Sequence, residues 1–295
     1  MRNTPNQRII VTGSSGLLGR SLLDVLSRDF EVVGMDKEAA GTRNDLRVDL
    51  AQRSPTTESI VRIAPRVIIH AAAETNVDLC ESDQDLARRI NVDGTRNIVA
   101  ACANLGTRLI LISTDYVFDG IKGNYAENDQ PNPISFYGLT KLEAERLVSA
   151  GLSDYLITRT SVLYGWHPSK LNFATWVLKG LREQQRLKVV NDHFNSPTLA
   201  RNLAEAIRIA IVRETQGILH VAGRERISRF DFALRIAKTF DLNESLLVPV
   251  QMRDLNWIAR RPRDSSLNVG KAEKELGIEL LGVDGGLEEM ARSRP

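Results

Sequence analysis

The sequence predicts an α/β protein, a doubly wound parallel sheet followed by a smaller C-terminal lobe. Three observations predict it. Short, wholly apolar runs alternate with helical stretches through the first half, as strands covered on both faces require. A glycine-rich turn, Gly13-Ser14-Ser15-Gly16-Leu17-Leu18-Gly19, joins the first such run to a helix. The regular alternation stops after Gly165, where the second lobe should begin.

The elements follow in order. Residues 8–12 are a short β-branched run and read as the first strand, and residues 20–26 carry a helical pattern. Residues 31–36, 46–49, 67–72, 108–113 and 155–159 read as strands two to six. Helices are expected over 86–105 and within 133–150. Beyond Gly165, residues 188–191 and 217–221 read as strands, and 199–212 and 230–240 as helices. Residues 1–165 thus form a nucleotide-binding domain, with elements from about 188–222 packing on it, and 166–295 form mainly a substrate-binding lobe.

The glycine turn points to a dinucleotide. Its first two glycines stand one residue further apart than in G-x-G-x-x-G, but the physics is the same. Gly13 permits a tight turn, Gly16 lets a pyrophosphate approach the backbone, and Gly19 lets helix and strand pack closely. The phosphates would sit at the start of the helix beside Ser15, Leu17 and Leu18, where free N–H groups and the helix dipole favour anions. Asp36 ends the second strand, where a carboxylate accepts hydrogen bonds from the adenosine ribose hydroxyls. A like charge there disfavours a 2′-phosphate, so NADH is expected over NADPH, although Lys37 and Arg43 follow closely and could screen it.

A second constellation lies at the end of the fifth strand. Ser113-Thr114-Asp115-Tyr116-Val117-Phe118-Asp119-Gly120 is followed by Tyr137-Gly138-Leu139-Thr140-Lys141. Tyr137 and Lys141 are four residues apart and share one helix face. An ammonium beside a phenol should lower the phenol pKa and make Tyr137 a usable proton donor and acceptor near neutral pH.

Composition agrees with an enzyme of small molecules. The chain has 295 residues, 42% hydrophobic and 26% charged, enough for a large core. The net charge of +2 does not suggest nucleic-acid or membrane binding. Two cysteines, Cys80 and Cys102, make no disulfide framework, and a reducing cytoplasm is expected. The four histidines show no metal-ligand spacing, so no metal site is expected. Residues 1–7 are polar and do not read as a secretory signal.

These motifs carry a resemblance. The chain is similar to the extended short-chain dehydrogenase/reductases, and more closely to the dTDP-4-dehydrorhamnose reductase family of dTDP-rhamnose biosynthesis. Beside the segments above, Tyr125-x-Glu127-x-Asp129, Arg159-Thr160-Ser161 with Tyr164-Gly165, Ser196-Pro197-Thr198, and Arg261-Pro262 with Ser266-Leu267 match it. The resemblance implies a Rossmann domain that binds NADH or NADPH and a nucleotide-sugar substrate. It implies that Thr114 hydrogen-bonds the substrate carbonyl, Tyr137 protonates it, and Lys141 holds the coenzyme ribose. Asp49 and Leu50 would meet the adenine, and Ala71, Ala72 and Ala73 would line the dinucleotide. Asp115, Tyr116, Val117, Asn172 and Arg261 would meet the substrate, with Phe173 and Asn195 as further contacts. Asn91 matches a mid-helix asparagine whose role is partly structural. The cluster Arg260, Arg261 and Arg263 near Trp257 would suit a diphosphate, although a solvated basic turn reads the same. The family also allows a homodimer.

One departure bears on the sugar. The rhamnose-pathway reductases usually place a Trp after Arg-Thr-Ser, and here Val162 stands there, either as an altered sugar contact or as a core residue of the sixth strand. Three functions compete: reduction of a nucleotide-linked 4-keto-6-deoxysugar, another epimerase or dehydratase chemistry of the same fold, and a non-enzymatic binding module. Related dehydratases use a Glu where this chain has Tyr116. The regulatory subunit of methionine adenosyltransferase resembles the family and illustrates the third reading.

Overall fold

The computed structural model describes residues 8–38 and 45–294; residues 1–7, read above as no signal, lie outside them. The chain begins with β1 (Arg8–Thr12), α1 (Leu17–Leu26), β2 (Glu31–Asp36), β3 (Asp45–Arg47), α2 (Arg53–Ile63) and β4 (Val67–His70). After α3 (Val77–Ser82), α4 (Gln84–Arg88) and α5 (Gly94–Leu105) come β5 (Arg108–Thr114), α6 (Phe136–Gly151) and β6 (Tyr155–Thr160). These strands and a later one, β11 (Gly217–His220), form a seven-stranded parallel sheet ordered β11-β6-β5-β4-β1-β2-β3. The order reverses between β1 and β4, and that switch point opens the crevice where such sheets take ligands.

Both faces of the sheet are covered, which is why its strands are apolar throughout. Ile9 and Val11 of β1 face the cluster that holds Leu22, Val25 and Leu26 of α1. Ile10 faces the opposite cluster with Ile68, Leu109, Leu111 and Ile98. Alternate residues of one strand thus enter two cores, the period-two consequence of the pleat.

The second half contributes to both lobes. Between β6 and β11 run β7 (Leu163–Tyr164), α7 (Phe173–Arg182), β8 (Leu187–Val190), β9 (Phe194–Asn195), β10 (Thr198–Leu199) and α8 (Ala200–Val212). After β11 come β12 (Ile227–Ser228), α9 (Arg229–Thr239), β13 (Leu247–Val250), α10 (Gly270–Leu276) and α11 (Val283–Arg292). Leu203 and Ile207 of α8 join the same cluster as α1, and β11 extends the main sheet beside β6. The strand expected at 188–191 does not: β8 pairs with β13 in the smaller lobe. That lobe has its own core, built on Tyr164, Leu178, Leu181, Phe232, Ile236 and Leu287.

Several boundaries differ from the sequence reading for local reasons. Helix α1 starts at Leu17, three residues earlier than the pattern suggested, because Gly16 already serves as its N-cap. The fourth strand stops at His70, since the backbone of Ala71 and Ala72 turns across Gly13. The helix expected over 86–105 contains a π turn at Arg89–Asp93, centred on the buried Asn91.

Candidate active site

The glycine turn is shaped by close approaches that exclude side chains. Gly13 has φ +68, and a Cβ there would lie 2.8 Å from Cα and N of Ala72. A Cβ on Gly19 would lie 2.1 Å from the carbonyl oxygen of Gly13. Behind the turn, the Thr12 hydroxyl accepts from the Ala72 N–H at 3.2 Å and lies 2.7 Å from His70 Nδ1. Burial, and secondly the charge of Lys141, pull the His70 pKa down to about 3, so this imidazole is a neutral strut. Helix α1 has no side-chain cap and no acid in its first turn. Its N-terminus is therefore an open anion seat with glycine on the approach side.

Asp36 reaches this turn directly. Its Oδ2 accepts from the backbone N–H of Ser15 at 3.0 Å and from the Ser15 hydroxyl at 2.7 Å. Arg43, weighed above as a screening charge, lies outside the described residues. A cation the sequence reading missed stands nearby: Arg47 is in register with Asp36 across β2 and β3, and its Nε donates to the Lys37 carbonyl at 3.0 Å. Parallel register was the signal that could have found it. Asp49 is exposed, Leu50 is buried in the core, and Ala71, Ala72 and Ala73 are half-buried along the chain leaving β4.

Thr114, Tyr137 and Lys141 converge at the C-terminal end of β5. Helix α6 is capped by Ser135, whose hydroxyl accepts from the Gly138 N–H at 3.2 Å, so Tyr137 lies in the first turn and Lys141 one turn on. A Cβ on Gly138 would lie 2.2 Å from the Tyr116 carbonyl, and its absence lets α6 press against the turn after β5. The Tyr137 phenol shares a hydrogen bond with Thr114, and its ring meets Tyr116 edge-on with centroids 5.9 Å apart. Asn91 braces the site from the π turn. Its Nδ2 donates to the Thr140 hydroxyl at 3.0 Å, and that hydroxyl donates to the Tyr137 carbonyl at 2.8 Å.

The electrostatics correct the expectation for the phenol. Burial raises the Tyr137 pKa above its usual 10, and the hydrogen bond with Thr114 only partly opposes this. The charge of Lys141 does not outweigh this rise. The ammonium is buried and donates to the Ile112 carbonyl at 2.8 Å, and burial lowers its own pKa to about 8 against the pull of Glu145. Glu145 lies one turn further along α6 and accepts from Arg159 Nε at 3.0 Å and Nη2 at 2.8 Å. Ser113 donates to the same carboxylate.

The expected substrate residues divide. Asp115 is buried, and its carboxylate accepts from Ser161, Ser265 and Thr114; burial raises its pKa and those bonds resist the rise. Tyr116 stands beside Tyr137. Val117 is sealed in the core, so its side chain is not available to a ligand. Asn172 is the N-cap of α7, bonded to Thr175 N at 3.3 Å and to the Gly165 carbonyl at 2.7 Å. Arg261 forms a two-pronged ion pair with Asp78, its Nη2 2.7 Å from Oδ2, and stacks over Trp257 at 4.3 Å. This pairing pins the 258–261 segment to α3 and occupies much of the fork that a diphosphate would take. Val162 follows β6 with φ +44, a rare conformation for a β-branched residue, and packs against the small-lobe core.

Arg229 was not foreseen. It is half-buried, donates from Nε to Asn195 Oδ1 at 2.8 Å, stacks over Phe173 at 4.9 Å, and exerts its charge on Asp115 and Tyr116. Its signal was positional. A cation in the first turn of a helix, here α9, opposes the helix dipole and so invites another explanation.

Residues 7–294 match the RmlD substrate binding domain family. The chain belongs to that family. Among its RmlD-family relatives, dTDP-4-dehydrorhamnose reductase of Aggregatibacter actinomycetemcomitans is 33% identical over 286 residues, covering 92% of this chain and 94% of the relative. Methionine adenosyltransferase 2 subunit beta of Bos taurus is 33% identical over 290 residues, covering 95% and 84%. The crystal structure of dTDP-4-dehydrorhamnose reductase from Bacillus anthracis str. Ames, in complex with NADP, superposes with a TM-score of 0.90 at 31% identity, covering 98% of this chain and all of that one. The RmlD-family fold is therefore that of the extended short-chain dehydrogenase/reductases. Among the described residues no helix is long and apolar enough to cross a membrane.

Proposed function

We propose that this chain is an NAD(P)H-dependent reductase of a nucleotide-linked 4-keto-6-deoxysugar, similar in chemistry to dTDP-4-dehydrorhamnose reductase, with NADH preferred. The observation that carries the reading is the convergence of Thr114, Tyr137 and Lys141 beside an uncapped, glycine-lined helix start. The turn fits a dinucleotide. Gly13, Ser15, Gly16, Leu17 and Leu18 would hold the pyrophosphate, Asp36 the adenosine ribose, Asp49 and Leu50 the adenine, and Ala71, Ala72 and Ala73 the length of the molecule. Bound NADH or NADPH supplies the hydride.

The chain's own residues supply the proton. A phenol whose pKa is raised by burial stays protonated at neutral pH, which suits Tyr137 to give its proton to a carbonyl oxygen as charge develops there. Thr114, whose hydroxyl proton goes to Asp115 in the free chain, would turn that proton to the same oxygen when substrate binds. Lys141 holds the coenzyme ribose. Arg229, whose charge acts on Asp115 and Tyr116, would stand on the substrate side, with Tyr116 against the sugar. We further infer a cytoplasmic enzyme that acts on a small molecule, assembles at most with copies of itself, and needs neither nucleic acid nor membrane.

The test is coenzyme oxidation, followed by absorbance, against a panel of nucleotide-linked 4-keto-6-deoxysugars, with the alcohol product identified. Stoichiometric alcohol formation is expected. The likeness to the methionine adenosyltransferase subunit favours a second reading, a binding module. Absence of turnover on every sugar, together with capture of a synthetase subunit by the purified chain, would replace the first reading with the second.

A further inference from the structure

The loop between β7 and α7 reaches the glycine turn and is bonded to it. His167 Nδ1 lies 3.2 Å from the Ser169 N–H and 2.9 Å from the Lys170 N–H. Both groups can only donate, so Nδ1 is the acceptor and Nε2 carries the proton. Nε2 then donates to the Ser15 carbonyl at 2.9 Å, a bond that joins positions 152 residues apart. Ser15 is the residue that Asp36 grips from the other side. The small-lobe loop, the glycine turn and the end of β2 thus form one hydrogen-bonded chain.

The loop is built to hold this position. Its ends are drawn together by Asn172 Nδ2, which donates to the Gly165 carbonyl at 2.7 Å. Trp166 Nε1 donates to the Met290 carbonyl at 2.8 Å, fixing the loop to α11. At its base, a Cβ on Gly165 would touch Leu17 Cδ1 at 3.5 Å, so the loop lies against the first residue of α1. A six-residue span anchored at both ends therefore lies against the glycine turn, and among the described residues the imidazole of His167 is what bonds it to the other lobe.

We propose that residues 165–172 form a strap over the coenzyme pyrophosphate, and that His167, through Ser15, sets how fast the coenzyme enters and leaves. The inference rests on the glycine turn being a dinucleotide site. A strap acts on passage and not on fit, which separates it from an ordinary ligand contact. Loss of the His167–Ser15 bond should speed both directions and leave Kd nearly constant. Loss of a contact made directly to the ligand would raise the dissociation rate alone.

The experiment is stopped-flow fluorescence of NADH binding and displacement with the full chain, comparing parent, His167→Ala and Trp166→Phe. His167→Ala should raise association and dissociation rate constants together by about three- to tenfold, the worth of one hydrogen bond. Trp166→Phe, which keeps an aromatic body but frees the loop from Met290, should shift both in the same sense. Unchanged rates in both variants, or a rise in dissociation alone, overturns the strap while leaving the coenzyme site intact. A parent that binds neither NADH nor NADPH overturns the coenzyme site and the strap with it.

Discussion

The ammonium of Lys141 donates to the backbone carbonyl of Ile112 at 2.8 Å, although Tyr137 lies one helical turn before it on the same helix. The lysine is thereby fixed to the strand that ends in Thr114, and the phenol keeps company with Thr114 instead. The two residues divide the work: Tyr137 holds a proton, and Lys141 holds a charge in place.

Tyr137→Phe tests the proton. The change keeps the ring and its edge contact with Tyr116 but removes the hydroxyl. A positioned general acid is worth about 10²–10⁴-fold, so kcat should fall by that order while NADH still binds. Turnover close to the parent's in Tyr137→Phe rules out this assignment.

If Lys141 holds the coenzyme ribose as proposed, coenzyme binding should depend on pH. Its folded pKa, lowered from 10.5 to about 8 by burial, lies below that of the unfolded chain. Between about pH 8 and 10.5 the unfolded state binds more protons, so stability rises with pH across that window, and below pH 8 both states are protonated and the slope vanishes. Coenzyme affinity moves the other way, weakening as the ammonium is lost above about pH 8. Lys141→Met should flatten both trends. Urea midpoints and NADH titrations over that range decide it, and an affinity in the parent that stays level through pH 8 contradicts the role.

Glu145 and Arg159 should matter to stability more than any surface pair. Their side chains are 5% and 3% exposed, and the guanidinium also stacks over Phe118 at 5.1 Å. Glu145→Gln keeps the shape but leaves Arg159 as a buried charge without its counter-ion, which costs about 3–5 kcal/mol. Arg159→Met added to Glu145→Leu removes both charges and should recover much of that loss. Urea unfolding of the single and double variants measures it. A loss below about 1 kcal/mol in Glu145→Gln, the size of an exposed pair, would show that Arg159 finds another partner.

Gly13→Ala should remove the coenzyme site without removing the fold. At φ +68 an L residue pays about 1–2 kcal/mol, and its Cβ would drive into the backbone of Ala72. The turn or the Ala71–Ala72 segment must shift, and both line the proposed coenzyme path. Circular dichroism should match the parent, while NADH titration shows binding lost. Full-affinity binding in Gly13→Ala would mean the dinucleotide lies elsewhere.

What the sequence disclosed was whatever rests on local periodicity and turn chemistry. The apolar strands, the glycine turn, Asp36 and the Tyr137–Lys141 spacing were all legible because neighbours in sequence create them. Helix α2 went unread because Pro55 looks like a breaker, yet it sits in the first turn, where proline is tolerated. Helix α11 was hidden by Gly285 and Gly286, poor helix formers; a Cβ on Gly286 would lie 2.0 Å from the Tyr164 hydroxyl, so tertiary packing dictates that glycine. Arg229 and His167 bond to residues 34 and 152 positions away, and no local pattern encodes those partners; Arg47 meets Asp36 only through the register of two paired strands. The phenol pKa was misjudged for a related reason, because burial and the direction of the Lys141 ammonium are properties of the folded chain.

The last prediction concerns coenzyme choice. Asp36 is held against the glycine turn by both donors of Ser15, where a 2′-phosphate would meet its charge. Two like unit charges at about 4 Å repel by about 4 kcal/mol at an effective dielectric near 20. Arg47, in register with Asp36 and anchored on the Lys37 carbonyl, is the cation placed to offset that repulsion. NADH should therefore have the higher kcat/KM, with NADPH activity measurable. Asp36→Ala should narrow the gap by weakening NADH and relieving the phosphate. Arg47→Ala should widen it by depressing NADPH alone, because the ribose hydroxyls do not need the cation. Steady-state kcat/KM for both coenzymes in the three proteins separates the two effects. A parent that prefers NADPH, and loses that preference in Arg47→Ala, would show that the arginine governs the pocket and that the carboxylate serves only to hold Ser15.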